Sequence, residues 1–217
     1  MFELPLFPLN TVLFPGMPLP LHIFEDRYKQ MINNCLEEKE PFGVVLIRNG
    51  KEALGPLAQP HSIGCTARIV EVQKLSDGRM NINSVGERRF RIISLNYDAP
   101  YLIGNVEYYP LGEGDPEQLL KVAGSLVPKV KQYMHILNEV EEIDLDPEHL
   151  PGDPLILAHL SAVLLQIPAE KKQELLTSAS ALDLLNNTNQ IYRREIAFMR
   201  AMVDRFNDQS QKAINLN

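Results

Sequence analysis

"IGCTARIVEVQKLSDGRMNINSVGERRFRI", residues 63–92, decides how the first half of the chain is read. At its centre stand Ser76, Asp77, Gly78 and Arg79. Asp-Gly between apolar runs is a strong hairpin signal, because both residues tolerate the positive φ of a tight turn. The flanks, "GCTARIVEVQKL" before the turn and "RMNINSV" then "RRFRIISLNY" after it, read as β-strands. Working outward, "YLIGNVEYYP" follows, while "FGVVLIR", "PLPLHIF" and "LPLFPL" precede. Only one helix interrupts them, from near Glu25 to about Glu38, where Glu25 and Asp26 suit a positive helix N-terminus. Seven short strands without alternating helices predict a compact barrel or sandwich rather than a parallel sheet.

The opening "MFELPLFPLNTVLFPGMPLPLHIFEDRYKQMI" is apolar yet broken by Pro5, Pro8, Pro15, Pro18 and Pro20. Proline cannot donate to a sheet ladder, so the segment is expected along sheet edges and bends. Gly16 permits a tight turn, and the whole reads as a doubled-back edge segment that closes the β-domain. It is not a signal peptide, since it lacks a basic start and prolines cut its apolar run. No apolar run reaches the ~18 residues a membrane span needs. The expected setting is the cytoplasm.

"LGEGDPEQ", residues 111–118, marks a boundary where the apolar period changes from 2 to 3.6. Leu119, Ala123, Leu126, Val130, Tyr133 and Leu137 form a core-facing helical stripe, with Pro128 expected to kink it. An acidic loop, the apolar "PLILAHLSAVLLQI", a short helix at "PAEKKQELL" and a long helix from Ala181 to about Asn207 follow. On the last, Ile191, Glu195, Phe198, Met202 and Arg205, broadened by Met199 and Phe206, read as the packing stripe. The expected organisation is a β-domain at 1–112, a helical bundle at 113–209 and a frayed tail at 210–217.

Charge narrows the function classes. The net −7 is spread unevenly, near balance over residues 1–110 and −6 over 111–217. A polyphosphate binder normally carries a basic surplus, so nucleic acid is a disfavoured partner. Arg88, Arg89 and Arg91 beside Phe90 raise the question again, but strand alternation puts Arg88 with Phe90 and Arg89 with Arg91 on opposite faces.

Catalytic and metal signatures are missing. No phosphate-binding loop, nucleophile elbow, dinucleotide fingerprint or zinc-protease motif occurs. Cys35, Cys65 and the five histidines have no zinc spacing and read as a reduced pair and scattered imidazoles. The carboxylates Glu139, Glu141, Glu142, Asp144, Asp146 and Glu148 lack the spacing of a calcium loop and read as solvated. No catalytic residue, metal or cofactor is expected. An unrecognised site would have to gather groups such as His22, His61, Cys65 and Glu87.

Two blocks carry a family likeness. The opening stretch resembles the start of the LON N-terminal domain, the substrate-recognition region of ATP-dependent Lon protease. In the second block, Gly64, Ala67 and Ile69, then Leu75, Asp77, Gly78 and Arg79, then Gly86, Arg89 and Phe90, are similar to that family's pattern. The resemblance is close over about 2–110 and looser over the helices. It implies an α+β chain: an N-terminal PUA-like β pseudo-barrel with one helix, followed by a C-terminal α-helical bundle. The chain stops at Asn217 without a Walker motif or protease segment, so it looks like a stand-alone member, and ATP-dependent proteolysis is not implied. The cyclic-imide cage of cereblon-like relatives does not transfer to a chain with no Trp.

The expected function is non-enzymatic binding of polypeptide clients, unfolded or degron-bearing, with a separate protease or ATPase as a further partner. The alternative is a PUA-like nucleic-acid binder. Such recognition needs accessible apolar side chains and sheet edges. The candidates are Phe14, Met17, His22, Phe24, Arg27 and Tyr28. Phe14 and Phe24 also read as barrel core, Met17 and Tyr28 as exposed, and Arg27 as a local partner of Glu25 or Asp26. Self-association through the last helix makes a monomer or weak homodimer the expected state.

Overall fold

The structure, a computed structural model, describes residues 1–52, 55–141 and 144–214; the side chains of 140, 141 and 204–214 lie outside the description. The chain divides into two compact units. One comprises Met1–Leu111 with Ala162–Ser178, the other Gly112–Ser161 with Ala179–Asn217.

Among the described residues the first unit is built on seven strands: β1 (Phe2–Leu9), β2 (Pro18–Ile23), β3 (Phe42–Asn49), β4 (Gln59–Pro60), β5 (Ile63–Lys74), β6 (Met80–Asn96) and β7 (Leu102–Tyr108). β1 pairs antiparallel with β7 and parallel with β3, so the path β1–β7–β6–β5–β3 returns on itself. A closed path of this kind leaves few sheet edges, and the α+β class with a β pseudo-barrel is what the structure has. The hairpin at 76–79 is present. Gly78 has φ +80°, Leu75 N–H donates to Arg79 O at 2.8 Å, and Asp77 accepts from both the main chain and the guanidinium of Arg79.

The two strands expected after that hairpin are one 17-residue strand, β6. Its first part pairs with β2 and its last part with β7, while β5 runs along the other side. Gly86 sits where the partner changes, and its N–H donates to Met17 O at 2.9 Å. A Cβ there would lie 2.2 Å from Phe14 O, so glycine is required for close approach rather than for a turn. A bulge opposite Cys65–Ala67 precedes Arg89, and from Arg89 to Arg91 the pairing with β5 is regular. Arg89 and Arg91 therefore share a face, both over Tyr109, while Phe90 takes the other. Arg89 and Phe90 are both buried because each face is covered there.

The prolines fall into place in two ways. β2 pairs only with β6, so it is an edge strand. With Met17 O bonded to Gly86, hydrogen-bonded positions recur every second residue, and Pro18 and Pro20 fall at the outward-facing ones. β1 closes the barrel, pairing with β7 over Phe2–Leu6 and with β3 over Leu6–Leu9, so the expected edge survives only along the β3 side of Phe2–Pro5. It changes partner at Leu6: Pro5 faces only Ile103 of β7, and Pro8 only Val45 of β3. Each proline therefore has one unpaired side.

Helix α1 (Asp26–Glu38) covers one core cluster through Tyr28, Met31, Ile32 and Cys35. Helix α4 (Ala169–Leu176), expected in the bundle, belongs to the sheet unit instead. Gln173 Nε2 donates to Ile63 O at 2.9 Å, and Arg89 donates to the carbonyls of Leu176 and Ser178.

The second unit holds α2 (Pro116–Glu141), the first part of α3 (Pro154–Leu164) and α5 (Ala181–Ile214). The α2 stripe Ala123, Leu126, Val130, Tyr133 and Leu137 is buried. On α5 the buried side is Leu184, Leu185, Thr188, Tyr192 and Ile196, whereas Phe198 (62% exposed) and Met202 (43%) face solvent. The expected stripe failed because it contained Glu195; the apolar line one step around the helix is the one that packs. Arg205 and Phe206, like the acidic-loop member Glu142 and the tail end at 215–217, lie outside the described side chains or residues.

Candidate functional site

Phe2, Glu3, Leu4 and Pro5 all line a cleft of about 810 Å³. Successive strand side chains point to opposite faces, and Leu4 is buried in a core cluster. A cleft that touches all four must therefore run along the main-chain edge of β1. That edge is open because β3 pairs with β1 only from Leu6 onward. The end of α1 and the turn into β3 supply further lining through Glu38, Glu40 and Pro41, and Tyr101 contributes too, with its hydroxyl accepting from Asn34 Nδ2 at 3.2 Å.

The electrostatics are negative. Glu3, Glu38 and Glu40 are exposed and make no ion pair among the described residues, while Glu87 is held by Arg68 at 2.6 Å. Arg88, also lining the cleft, stacks its guanidinium 5.0 Å over Tyr108. Cys35, buried at the cleft, has its thiol pushed up to about 11 by burial and then by the Glu38 charge. Burial pushes Cys65 up to about 12. Both thiols stay protonated at neutral pH and are poor nucleophiles.

The six residues expected from the sequence do not form one surface. Phe14 is fully buried. Tyr28 is buried as well, stacked on Phe7 at 4.0 Å, which corrects its expected exposure: it lies on the core side of α1. Met17 is half-buried against the same cluster. Phe24 is 44% exposed, so it is not the core residue it also read as. His22 is exposed beside it on the β2 edge, bonded to Asn81 at 2.7 Å, with the rings 6.2 Å apart. Arg27 pairs with Glu25 at 2.9 Å and donates to Gly55 O, the local role that was the plainer reading. None of the six lines the cleft. Glu38, Glu40 and Tyr101 escaped notice because no motif flags an acid at a helix end.

The arginines of β6 are occupied. Arg89 is buried with its guanidinium 4.9 Å over the ring of Tyr109, and Arg91 lies 4.3 Å over the same ring and near Glu107 at 3.6 Å. A phosphate-binding surface needs free cations, and these are engaged. Among the described residues no cluster of three metal-ligating side chains occurs, and no helix is long and apolar enough to cross a membrane.

A family model described as the ATP-dependent protease La (LON) substrate-binding domain matches residues 3–194. Over 210 residues the chain is 29% identical to Lon protease 2 of Myxococcus xanthus, covering 88% of this chain and 24% of that protein. The chain thus spans about a quarter of the length of this curated relative. A Lon N-terminal domain protein from Xanthomonas campestris superposes with a TM-score of 0.60 at 25% identity, over 86% of this chain and 96% of that one. The N-terminal domain of Mycobacterium avium complex Lon protease gives 0.61 at 20% identity, over 88% and 98%, a likeness of fold.

Proposed function

This chain belongs to the Lon substrate-binding domain family, and on that premise we propose that it is a non-enzymatic polypeptide-binding module for unfolded or degron-bearing proteins. The observation that carries the reading is the match to a substrate-binding domain over residues 3–194. Two features of the first unit support it. An open main-chain flank at β1 is the kind of edge an extended peptide can join. Phe24, just past the end of β2, offers an exposed aromatic ring, the sort of group that captures apolar client side chains. A separate protease or ATPase would act on what the module holds.

Fluorescence anisotropy of a labelled, permanently unfolded protein, titrated with the purified chain at low and high salt, tests the reading. Saturable binding in the micromolar range is expected. No binding at tens of micromolar overturns it.

A further inference from the structure

We propose that the β1 cleft takes an extended polypeptide segment bearing lysine or arginine, which adds as a strand to the open flank of Phe2–Pro5. The proposal rests on the polypeptide-binding reading and names the chemistry of the client.

Four observations converge on it. The cleft exposes main chain, since it touches four consecutive strand residues of which Leu4 keeps its side chain in the core. A four-residue flank is about 13 Å long, enough for a short strand to pair with. Its carboxylates Glu3, Glu38 and Glu40 are exposed and without ion pairs among the described residues. Glu38 ends α1, whose last turn contains no basic residue, so its charge adds to the negative end of the helix dipole. That placement works against the helix and is relieved when a cation arrives. Finally, the rings of Phe2 and Tyr108 meet 4.9 Å apart and line the same cleft, giving the aliphatic stem of a lysine an apolar surface.

The charge also selects the occupant. A second copy pairing through its own β1 flank would bring Glu3 toward Glu3, and like charges opposite each other destabilise a strand pair. A basic segment instead sets a cation across from Glu3 and within reach of the acids at the end of α1.

The test uses the full chain and three labelled peptides: alternating lysine and valine, alternating glutamate and valine, and the lysine peptide with N-methylated valines. The lysine peptide is expected to bind, the glutamate peptide at least about tenfold more weakly, and N-methylation to remove most affinity by deleting main-chain donors. Glu38→Gln with Glu40→Gln, at exposed positions, is expected to weaken the lysine peptide about threefold to tenfold with an unchanged circular dichroism spectrum. Equal binding of both charge types, or no effect of the double substitution, overturns the proposal. If the unfolded protein still binds in that case, the polypeptide-binding reading stands while the cleft assignment falls. If neither peptide nor unfolded protein binds, both fall.

Discussion

The guanidinium of Arg89, on the longest strand of the barrel, donates to the main-chain oxygen of Ser178 at 2.8 Å and also to that of Leu176. The residues are 89 and 87 positions apart in sequence, and the contact fastens the end of α4 to the β-unit. Among the described residues no carboxylate pairs with Arg89; the ring of Tyr109 lies under it, and burial draws its pKa down. Arg89→Met keeps the length and removes the donors, leaving two carbonyls unmatched. We expect a loss of about 2–4 kcal/mol. Amide exchange over 169–178 should accelerate more than exchange in β5 and β6, and equal acceleration everywhere would contradict the fastening role.

Gly86→Ala tests the partner change in β6. Its Cβ would meet Phe14 O at 2.2 Å, a main-chain atom that cannot rotate away. We expect destabilisation of about 3 kcal/mol or more by urea unfolding. A native-like midpoint would show that β2 does not press on β6 as described.

Tyr28→Ala and Phe24→Ser should separate structure from recognition. Tyr28 is packed on Phe7 in the core, so its truncation should cost about 3–5 kcal/mol. Phe24 is exposed, so Phe24→Ser should shift stability by no more than about 0.5 kcal/mol while weakening client binding about threefold. The two readouts are melting temperature and anisotropy on the same preparations.

Glu38→Gln should stabilise the free protein by about 0.3–0.5 kcal/mol, because it removes an anion from the negative end of α1. A residue that weakens folding yet strengthens binding is the signature of a recognition group. Loss of stability in this variant would show instead that Glu38 supports the fold.

The thiols set an alkaline limit. Burial raises Cys35 to about 11 and Cys65 to about 12, above the ~8.5 of an unfolded thiol. The folded state therefore binds the proton more tightly. Its contribution is complete below the unfolded value and is lost as pH rises from about 8.5 toward 11. Urea midpoints should fall over that window, and Cys35→Ala should flatten the fall. Iodoacetamide should label the native protein slowly and the urea-unfolded chain fast.

Much of the β-unit is legible because its signals are local. Asp77-Gly78 sets a hairpin, alternation sets strands, and prolines mark open sides. The switch of β1 from β7 to β3 at Leu6 is not legible, since pairing across such distances leaves no local mark. The fastening of α4 is hidden for the same reason: Arg89 stood out within its motif, but its acceptors are main-chain oxygens, which every residue carries. The burial of Tyr28 is not legible because a helix of 13 residues with one buried side allows its aromatic to face either way, and only packing against Phe7 decides it. The cleft is not legible either, because it is an absence of pairing, which no residue type encodes.

The function proposed for this chain is the binding of polypeptides that lack a fold. The most direct measurement presents one labelled protein in two forms, native and permanently unfolded, and follows anisotropy on titration with this chain. Saturable micromolar binding of the unfolded form, with the native form bound at least about tenfold more weakly, is the predicted result. Equal affinity for both forms, or binding of neither, would contradict it.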